Sequence, residues 1–366
     1  MHLAWRWFTG LGFDQEIPHH STFSKNRHGR FYESNLFQQL FEQIVDHCME
    51  AGLVEGEHLS VDGSFVQANA STASRIPREE LAEAAQVKRT VREYLAELEQ
   101  ENATEEPVPQ QERVSTTDPD ATYATKGGPA ALGYYDNYLI DNHSCVIVDV
   151  QATAARLSQE SVAARDMITR FTERRGRAPQ TLAADATYGN GDLLHWLHER
   201  GIAPHIRVKE SPLPKSDLYS IEKFTYSADT NRYTCPEGKQ LTYVGINARN
   251  RVHVYQATRK RCRDCSQKTL CTTAAYRQIA IHVHEPARQF ARDLAKTPAF
   301  AISQRARRKV EALFGELKNQ IGLRRARLRR MKFVREQFFL AASAQNLKRL
   351  VRFLARIPQP PLAVSA

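Results

Sequence analysis

The chain has 366 residues, of which 42% are hydrophobic and 25% are charged, so it can form one large globular domain or two to three smaller ones. No run of about 18 apolar residues occurs in the sequence, so no transmembrane helix is predicted. The N-terminus lacks the basic and then apolar order of a signal peptide. We therefore expect a cytoplasmic protein with reduced thiols.

Positive charge is concentrated near the C-terminus. The whole chain has a net charge of +10, and residues 305–335 hold twelve Lys and Arg against two Glu, which is also a net +10. A concentrated basic segment attracts a polyanion far better than scattered charge does. The pattern favours a nucleic-acid partner over a merely solvated helix surface.

The first 208 residues predict a helical region followed by an α/β core. Residues 1–57 form the predicted N-terminal helical region, because apolar residues recur with the helical period over 35–51. The core is predicted over 58–208, with a strand at 59–66 and a hairpin made of 132–140 and 145–150. Inside it, residues 76–125 form a predicted insertion of one charged helix, from Pro77 to about Glu101, and a polar loop.

After the hairpin, helices and strands alternate. Helices at 159–174 and 190–200 lead to strands at 181–185 and 203–208, which predicts a mixed sheet covered by helices. Residues 209–299 contain turns, short strands and four of the six cysteines, and are predicted to be a further insertion. Residues 300–356 carry a core helix, a basic turn and a last amphipathic helix, and 357–366 form a tail that we expect to be disordered.

Two acids stand out by their position on predicted strands. Asp62 lies inside a strand pattern, and Asp185 ends an apolar strand. Aspartate is disfavoured within strands, and ligand sites are usual at the carboxyl ends of strands in open α/β sheets. Each Asp is therefore a candidate site residue, with a turn or helix-cap role as the equally weighted alternative.

A third acid lies on the predicted helix over 304–318. At about 100° per residue, Gln304, Arg307, Glu311 and Lys318 share one face beside an apolar stripe, whereas Glu316 points to the opposite side. We therefore take Glu311 as the functional carboxylate and expect Glu316 to be solvated. Three carboxylates on two strands and a helix suit a site in which two Mg²⁺ ions promote phosphoryl transfer.

The cysteines of the second insertion form another pattern. Cys235, Cys262, Cys265 and Cys271 include one C-x2-C pair, and paired thiolates of this kind suit tetrahedral zinc. Ordinary reduced thiols are the alternative. Cys48 and Cys145 lie on apolar faces, and we expect them in the core.

These motifs together resemble DDE-class transposases of bacterial insertion sequences, whose catalytic core is RNase H-like. The matching segments are 60–65 around Asp62, 184–189 around Asp185, and the spacing of Arg307, Glu311 and Lys318, which matches the R-E-K part of a Y-R-E-K signature. Residues 17–24, 26 and 27 also resemble such transposases, and the likeness covers nearly the whole chain. Gln304 stands at the Tyr position of the signature, and the chain begins partway into what resembles the family's N-terminal module, so we expect an N-terminally truncated protein.

The resemblance implies an RNase H-like α/β fold with an N-terminal helical region and an inserted zinc-ribbon-like subdomain. It implies that Asp62, Asp185 and Glu311 bind Mg²⁺ or Mn²⁺, and that a metal-activated water cleaves DNA at transposon ends before the freed 3′-hydroxyl attacks target DNA. Arg307 and Lys318 would hold phosphates. The implied non-specific contacts to the DNA backbone come from Arg324, Arg325, Arg327, Arg329, Arg330 and Lys332.

The implied partners are the inverted-repeat ends of a transposon and target DNA, bound by a homo-oligomer in the nucleoid and not at a membrane. Two other functions stay open. The chain could be a catalytically inactive, truncated transposase that only binds DNA, or a stand-alone nuclease that cuts without a preference for inverted repeats.

Overall fold

The computed structural model describes residues 6, 10–12, 14–17, 19–31, 34–102, 112–125, 129–155, 159–210 and 218–356. The strands are β1 (His58–Gln67), β2 (Arg75–Pro77), β3 (Arg113–Ser115), β4 (Thr122–Ala124), β5 (Ala131–Asp141), β6 (Ile147–Ala154), β7 (Thr181–Ala183), β8 (Ala203–His205), β9 (Thr225–Ser227), β10 (Arg232–Thr234), β11 (Gln240–Asn247), β12 (Val252–Gln256) and β13 (Gln278–His282). The α-helices are α1 (His20–His28), α2 (Leu36–Glu50), α3 (Leu81–Val87), α4 (Arg89–Asn102), α5 (Glu160–Arg175), α6 (Gly191–Glu199), α7 (Arg259–Arg263), α8 (Lys268–Cys271), α9 (Glu285–Leu294), α10 (Pro298–Asn319) and α11 (Met331–Leu354).

A six-stranded mixed sheet forms the main body. Its order is β4–β5–β1–β7–β8, with β6 also paired to β5. β5 runs antiparallel to β1, β4 and β6, whereas β1, β7 and β8 are parallel. The predicted mixed α/β architecture and the β5–β6 hairpin are therefore confirmed.

Helices cover both faces of this sheet. On one face the ring of Tyr138 stacks on Phe314 of α10, with centroids 5.6 Å apart. On the other face Arg170 of α5 donates to Gln151 and Asp149 of β6. The core between these layers is made of apolar side chains from the strands and from α2, α5, α6, α10 and α11, so burial of apolar surface on both sides stabilises the sheet.

The predicted helix from Pro77 to Glu101 is wrong as a single element. It divides into α3 and α4 at Lys88, which has extended backbone and whose Nζ donates to the hydroxyl of Thr116 at 2.6 Å. Leu81, Val91 and Val114 form a small core of their own beneath the β2–β3 ladder.

The second insertion contains a separate antiparallel sheet of order β13–β12–β11–β10–β9. Its buried residues, such as Leu241 and Tyr255, form a core distinct from the main one. The helix α9 also falls inside the predicted 209–299 segment, yet Ala287 and Ala291 are buried in the main core. Packing therefore places α9 with the core helices.

The predicted tail at 357–366 lies outside the described residues. Cys48 and Cys145 are buried in the main core, as expected, although Cys145 lies in the β5–β6 turn with φ +58°. Within the described ranges, no helix is long and apolar enough to cross a membrane.

Candidate active site

Asp62 and Asp185 each follow, by two residues, the last paired residue of the two parallel strands β1 and β7. Ser60 of β1 pairs with Ala183 of the parallel strand β7, so two residues further along each chain Asp62 and Asp185 reach the same level. β7 has ended at this point, and Asp185 caps a short 3₁₀ helix by accepting from the amide of Thr187 at 2.7 Å. Asp185 thus lies just beyond the carboxyl end of β7, and Asp62 lies on β1 beyond the segment that pairs with β7, in the region of a sheet where ligand sites are usual.

The helix α10 is tied to this edge at two points. Arg307 Nη1 lies 3.1 Å from Asp62 Oδ2, and both side chains are mostly buried, with 16% and 17% exposure. One turn earlier, Gln304 Nε2 donates to the carbonyl oxygens of Ala184 (3.2 Å) and His205 (2.6 Å). Gln304 therefore joins the ends of β7 and β8 to the helix that carries the predicted third acid, a role that sequence reasoning did not find.

The two glutamates of α10 have different surroundings. Glu311 is exposed, one helical turn beyond Arg307 and on the same face. Glu316 accepts hydrogen bonds from Gln345 and Lys348 of α11, and the bond from Gln345 lowers the pKa of its carboxyl. The expectation that Glu316 is solvated is wrong, because α11 folds back on that side of α10.

Tyr188 identifies a further acid near the site. Its side chain is buried, its hydroxyl has no hydrogen-bond partner among the residues that the structure describes, and burial raises its pKa well above the usual value. The negative charges of Asp62, Glu160 and Asp185 raise that pKa further. Glu160, the first residue of α5, therefore acts on the same hydroxyl as the two predicted acids. The sequence signal that could have indicated Glu160 is its position in the first turn of the helix that follows the hairpin.

Divalent metal needs carboxylates that converge. Among the described residues, no three His, Cys, Asp or Glu side chains lie close enough to hold one ion. Asp62 and Asp185 supply the hard oxygen donors that Mg²⁺ prefers. They fit a metal site in part, and a third ligand from α10 or α5 would have to approach them.

The basic turn after α10 is fastened to the end of β1. The amide of Gln67 donates to Arg324 O at 3.1 Å, and the amide of Ala326 donates to Gln67 O at 2.7 Å. A groove of about 760 Å³ opens beside this contact, lined by Phe65 and by the cationic side chains of Lys318, Arg324 and Arg325. Exposed side chains of the predicted DNA-contacting set are Arg324, Arg325, Arg327, Arg329 and Lys332.

Arg330 is a correction to that set. It is 6% exposed, and its guanidinium pairs with Asp120 at 2.9 Å, Glu97 at 2.6 Å and Glu93 at 3.9 Å. Its amide donates to Asp118 at 2.8 Å. The side chain is therefore committed to holding the 76–125 insertion against the start of α11, and DNA contact is not available to it in this structure.

The four insertion cysteines lie around one small cavity of about 20 Å³. The amide of Lys239 donates to Cys235 Sγ at 3.3 Å, all four are free thiols, and the charges of Cys235, Cys262 and Cys265 act on Cys271. Burial, before these charges, raises the pKa of the Cys271 thiol. The donor set fits zinc chemically, although the thiols would have to close around the ion.

Two family models match parts of the chain. One model, described as "Transposase DDE domain", matches residues 234–351, and another, "Transposase domain (DUF772)", matches residues 1–29. The resemblance to insertion-sequence DDE transposases is confirmed. The DDE-domain match includes Glu311 and the four insertion cysteines, whereas Asp62 and Asp185 lie between the two matches.

Other comparisons add little to the transposase assignment. A cryo-EM structure of the piggyBac transposase synaptic complex with hairpin DNA is 8% identical, with a TM-score of 0.26, and the match covers 96% of this chain and 67% of that chain. So low a score carries no argument. The search of curated proteins returned no match.

Proposed function

We propose that this transposase cleaves DNA at transposon ends and joins the freed 3′ end to target DNA, with Asp62, Asp185 and Glu311 as its acids. The observation that supports the proposal is the register of β1 and β7, in which Ser60 pairs with Ala183, two residues before Asp62 and Asp185 respectively. The sheet combines a β1–β5–β6 antiparallel meander with the parallel strands β7 and β8 on the other side of β1, and this arrangement is the basis for inferring an RNase H-like core.

The chain's own groups would bind and orient the DNA. Lys318, Arg324 and Arg325 line the groove beside β1, where they can neutralise the phosphate backbone. Arg307 is held in place by Asp62 and can turn its remaining donors to a phosphate near the acids. A bound divalent ion would supply an activated water and stabilise the leaving oxygen.

The test is Mg²⁺-dependent nicking of a labelled duplex that carries the flanking inverted repeat. We expect Glu311→Gln and Asp185→Asn to lose cleavage and to keep their affinity for DNA, because a carboxamide is a poor substitute for a carboxylate that binds a divalent ion. Glu316→Gln is the matched control on the same helix and should cut. Joining of the cut end to a second duplex is scored in the same reaction.

A Glu160→Gln protein decides between two third acids. If Glu311→Gln cuts normally and Glu160→Gln does not, the third ligand comes from α5, and the assignment of Glu311 is wrong. If the parent binds the ends and cuts nothing with Mg²⁺ or Mn²⁺, the chain is a DNA-binding protein without catalysis. Cutting that ignores the inverted repeat would indicate a nuclease.

We also propose that Cys235, Cys262, Cys265 and Cys271 hold one structural zinc ion, because they surround a single cavity. The purified protein should contain about one zinc per chain, and chelation should lower its melting temperature. Cys265→Ser should lose the zinc, whereas Cys145→Ala, in the main core, should retain it. If the parent protein is purified from a zinc-containing medium and contains no zinc, the proposal is contradicted.

A further inference from the structure

The inserted sheet is a second strongly basic region of the chain. Residues 224–283 hold ten Lys and Arg against three Asp and Glu, a net +7. Because residues 305–335 carry +10 and the whole chain carries +10, the remainder carries a net −7. The charge outside the C-terminal segment is near zero only because the +7 of the inserted sheet and the −7 of the remaining residues cancel. The inserted sheet itself is cationic and would attract a polyanion.

Four tyrosines stand on one face of this sheet. Tyr226 pairs directly with Tyr233, and Tyr243 pairs directly with Tyr255, and directly opposed residues point to the same side. The Tyr233 and Tyr255 rings touch at 4.9 Å between centroids, Tyr226 lies 4.9 Å from Tyr233, and Tyr243 lies 5.3 Å from Tyr255. We call these four rings the tyrosine surface.

The outer rings of the tyrosine surface are open to solvent. Tyr226 is 46% exposed and Tyr243 is 39% exposed, whereas Tyr255 is buried between them. Tyr226 and Tyr255 both donate their hydroxyls to Asn231 Oδ1, at 3.1 and 2.8 Å. The hydroxyl of Tyr243 lies 3.3 Å from His253 Nδ1, so the hydroxyls of both outer tyrosines are bonded within the sheet and the outer rings offer a partner their ring area.

We propose that the tyrosine surface binds a single DNA strand by stacking with its bases. Aromatic side chains in a positively charged setting are the usual means of binding single strands without sequence preference. A duplex keeps its base faces covered, so it could not use the exposed ring area of Tyr226 and Tyr243. The inference goes beyond the proposed cleavage function, because it does not depend on Asp62, Asp185 or Glu311.

The experiment measures the affinity of the full chain for a fluorescent oligothymidylate, without divalent metal so that no cleavage intervenes. We expect the double variant Tyr226→Ala/Tyr243→Ala to lose about tenfold or more, since each stacked base contributes about a fivefold to 150-fold effect. Tyr226→Phe/Tyr243→Phe keeps the rings and should bind like the parent. Thr242→Ala, on the opposite face beside Arg232, is the matched control.

Salt dependence separates stacking from charge. The alanine pair should leave the slope of log affinity against log salt unchanged, because it removes no cation. Unchanged affinity in the alanine pair would overturn the proposal, as would an equal loss in the phenylalanine pair or an equal loss for duplex DNA. A change in sedimentation of the DNA-free protein with unchanged strand affinity would assign the surface to contact between copies of the chain. Cleavage of a labelled end, measured separately, keeps this outcome distinct from the proposed function.

Discussion

The two basic regions of the molecule hold their charge in different ways. In the C-terminal region, backbone hydrogen bonds from Gln67 fasten the basic turn to the strand that bears Asp62, and one of its arginines, Arg330, is buried. In the inserted sheet the charge belongs to a unit with its own core and exposed tyrosine rings. Net charge alone thus does not distinguish a cation that is exposed to a binding partner from one that, like Arg330, is buried and holds the protein together.

The largest expected effect tests this difference inside the basic turn. Arg330→Met should lower the free energy of unfolding by about 3–5 kcal/mol, because it leaves partly buried carboxylates such as Asp120 without their cation. Arg325→Met, at an exposed position, should change stability by no more than about 0.5 kcal/mol. Urea unfolding of the two proteins measures the contrast.

Affinity for DNA should respond in the opposite order. Arg325→Met should weaken duplex binding, and Arg330→Met should leave it unchanged at a temperature where the protein stays folded. Equal stability of the two variants, with weaker DNA binding by Arg330→Met, would return Arg330 to the DNA-contacting set.

The next largest expected effect is a pH dependence of the free energy of unfolding, which the buried Asp118 should produce. Asp118 is fully buried and accepts from Tyr134 Oη at 2.7 Å and from the Arg330 amide at 2.8 Å, and burial raises its pKa to about 6. The unfolded chain releases this proton near pH 4, so stability falls as pH rises from about 4 to 6. Two pKa units correspond to about 3 kcal/mol.

Asp118→Asn removes the titrating carboxyl, so this group no longer contributes to the difference in bound protons between the folded and unfolded chains. Urea unfolding at pH 4, 5, 6 and 7 should show that the parent loses more stability over this range than the variant does. Parallel curves for the two proteins would mean that Asp118 titrates normally in the fold.

Sequence reasoning predicted the main sheet correctly because local patterns indicate it, and the same patterns are the basis on which the three acids were proposed. The alternation in β1 and the apolar run before Asp185 can be read from consecutive residues. The helical period likewise predicts that Glu311 shares a helix face with Arg307. Sequence reasoning failed where a distant element decides the environment. Glu316 lies under α11, and Arg330 meets acids that are more than 200 positions away in sequence.

Gln304 was missed for the same reason, since its partners are the backbone carbonyls of two strands. Gln304→Ala should lower cleavage about tenfold to a hundredfold and raise the Mg²⁺ concentration at half-maximal rate, because a small misplacement of Asp185 against α10 is costly. Gln320→Ala, exposed at the end of the same helix, is the matched control. Affinity for DNA should not change in either protein, and an unshifted Mg²⁺ titration would exclude the positioning role.

The smallest effect is a change of slope, and it compares the two basic regions directly. Each phosphate contact adds about −0.9 to the salt slope on duplex DNA and about −0.7 on a single strand. Arg324→Gln/Arg325→Gln should therefore flatten the duplex slope by about 1.8 units. Arg259→Gln/Lys260→Gln, at exposed positions of α7, should flatten the single-strand slope by about 1.4 units.

Each pair of variants is measured on both duplex and single-stranded DNA. If the basic turn binds duplex DNA and the inserted sheet binds a single strand, the Arg324/Arg325 pair should alter only the duplex slope. The Arg259/Lys260 pair should then alter only the single-strand slope. If both pairs flatten both slopes equally, the two regions form one continuous non-specific surface. The different placement of their charge would then have no consequence for the kind of DNA that each region binds.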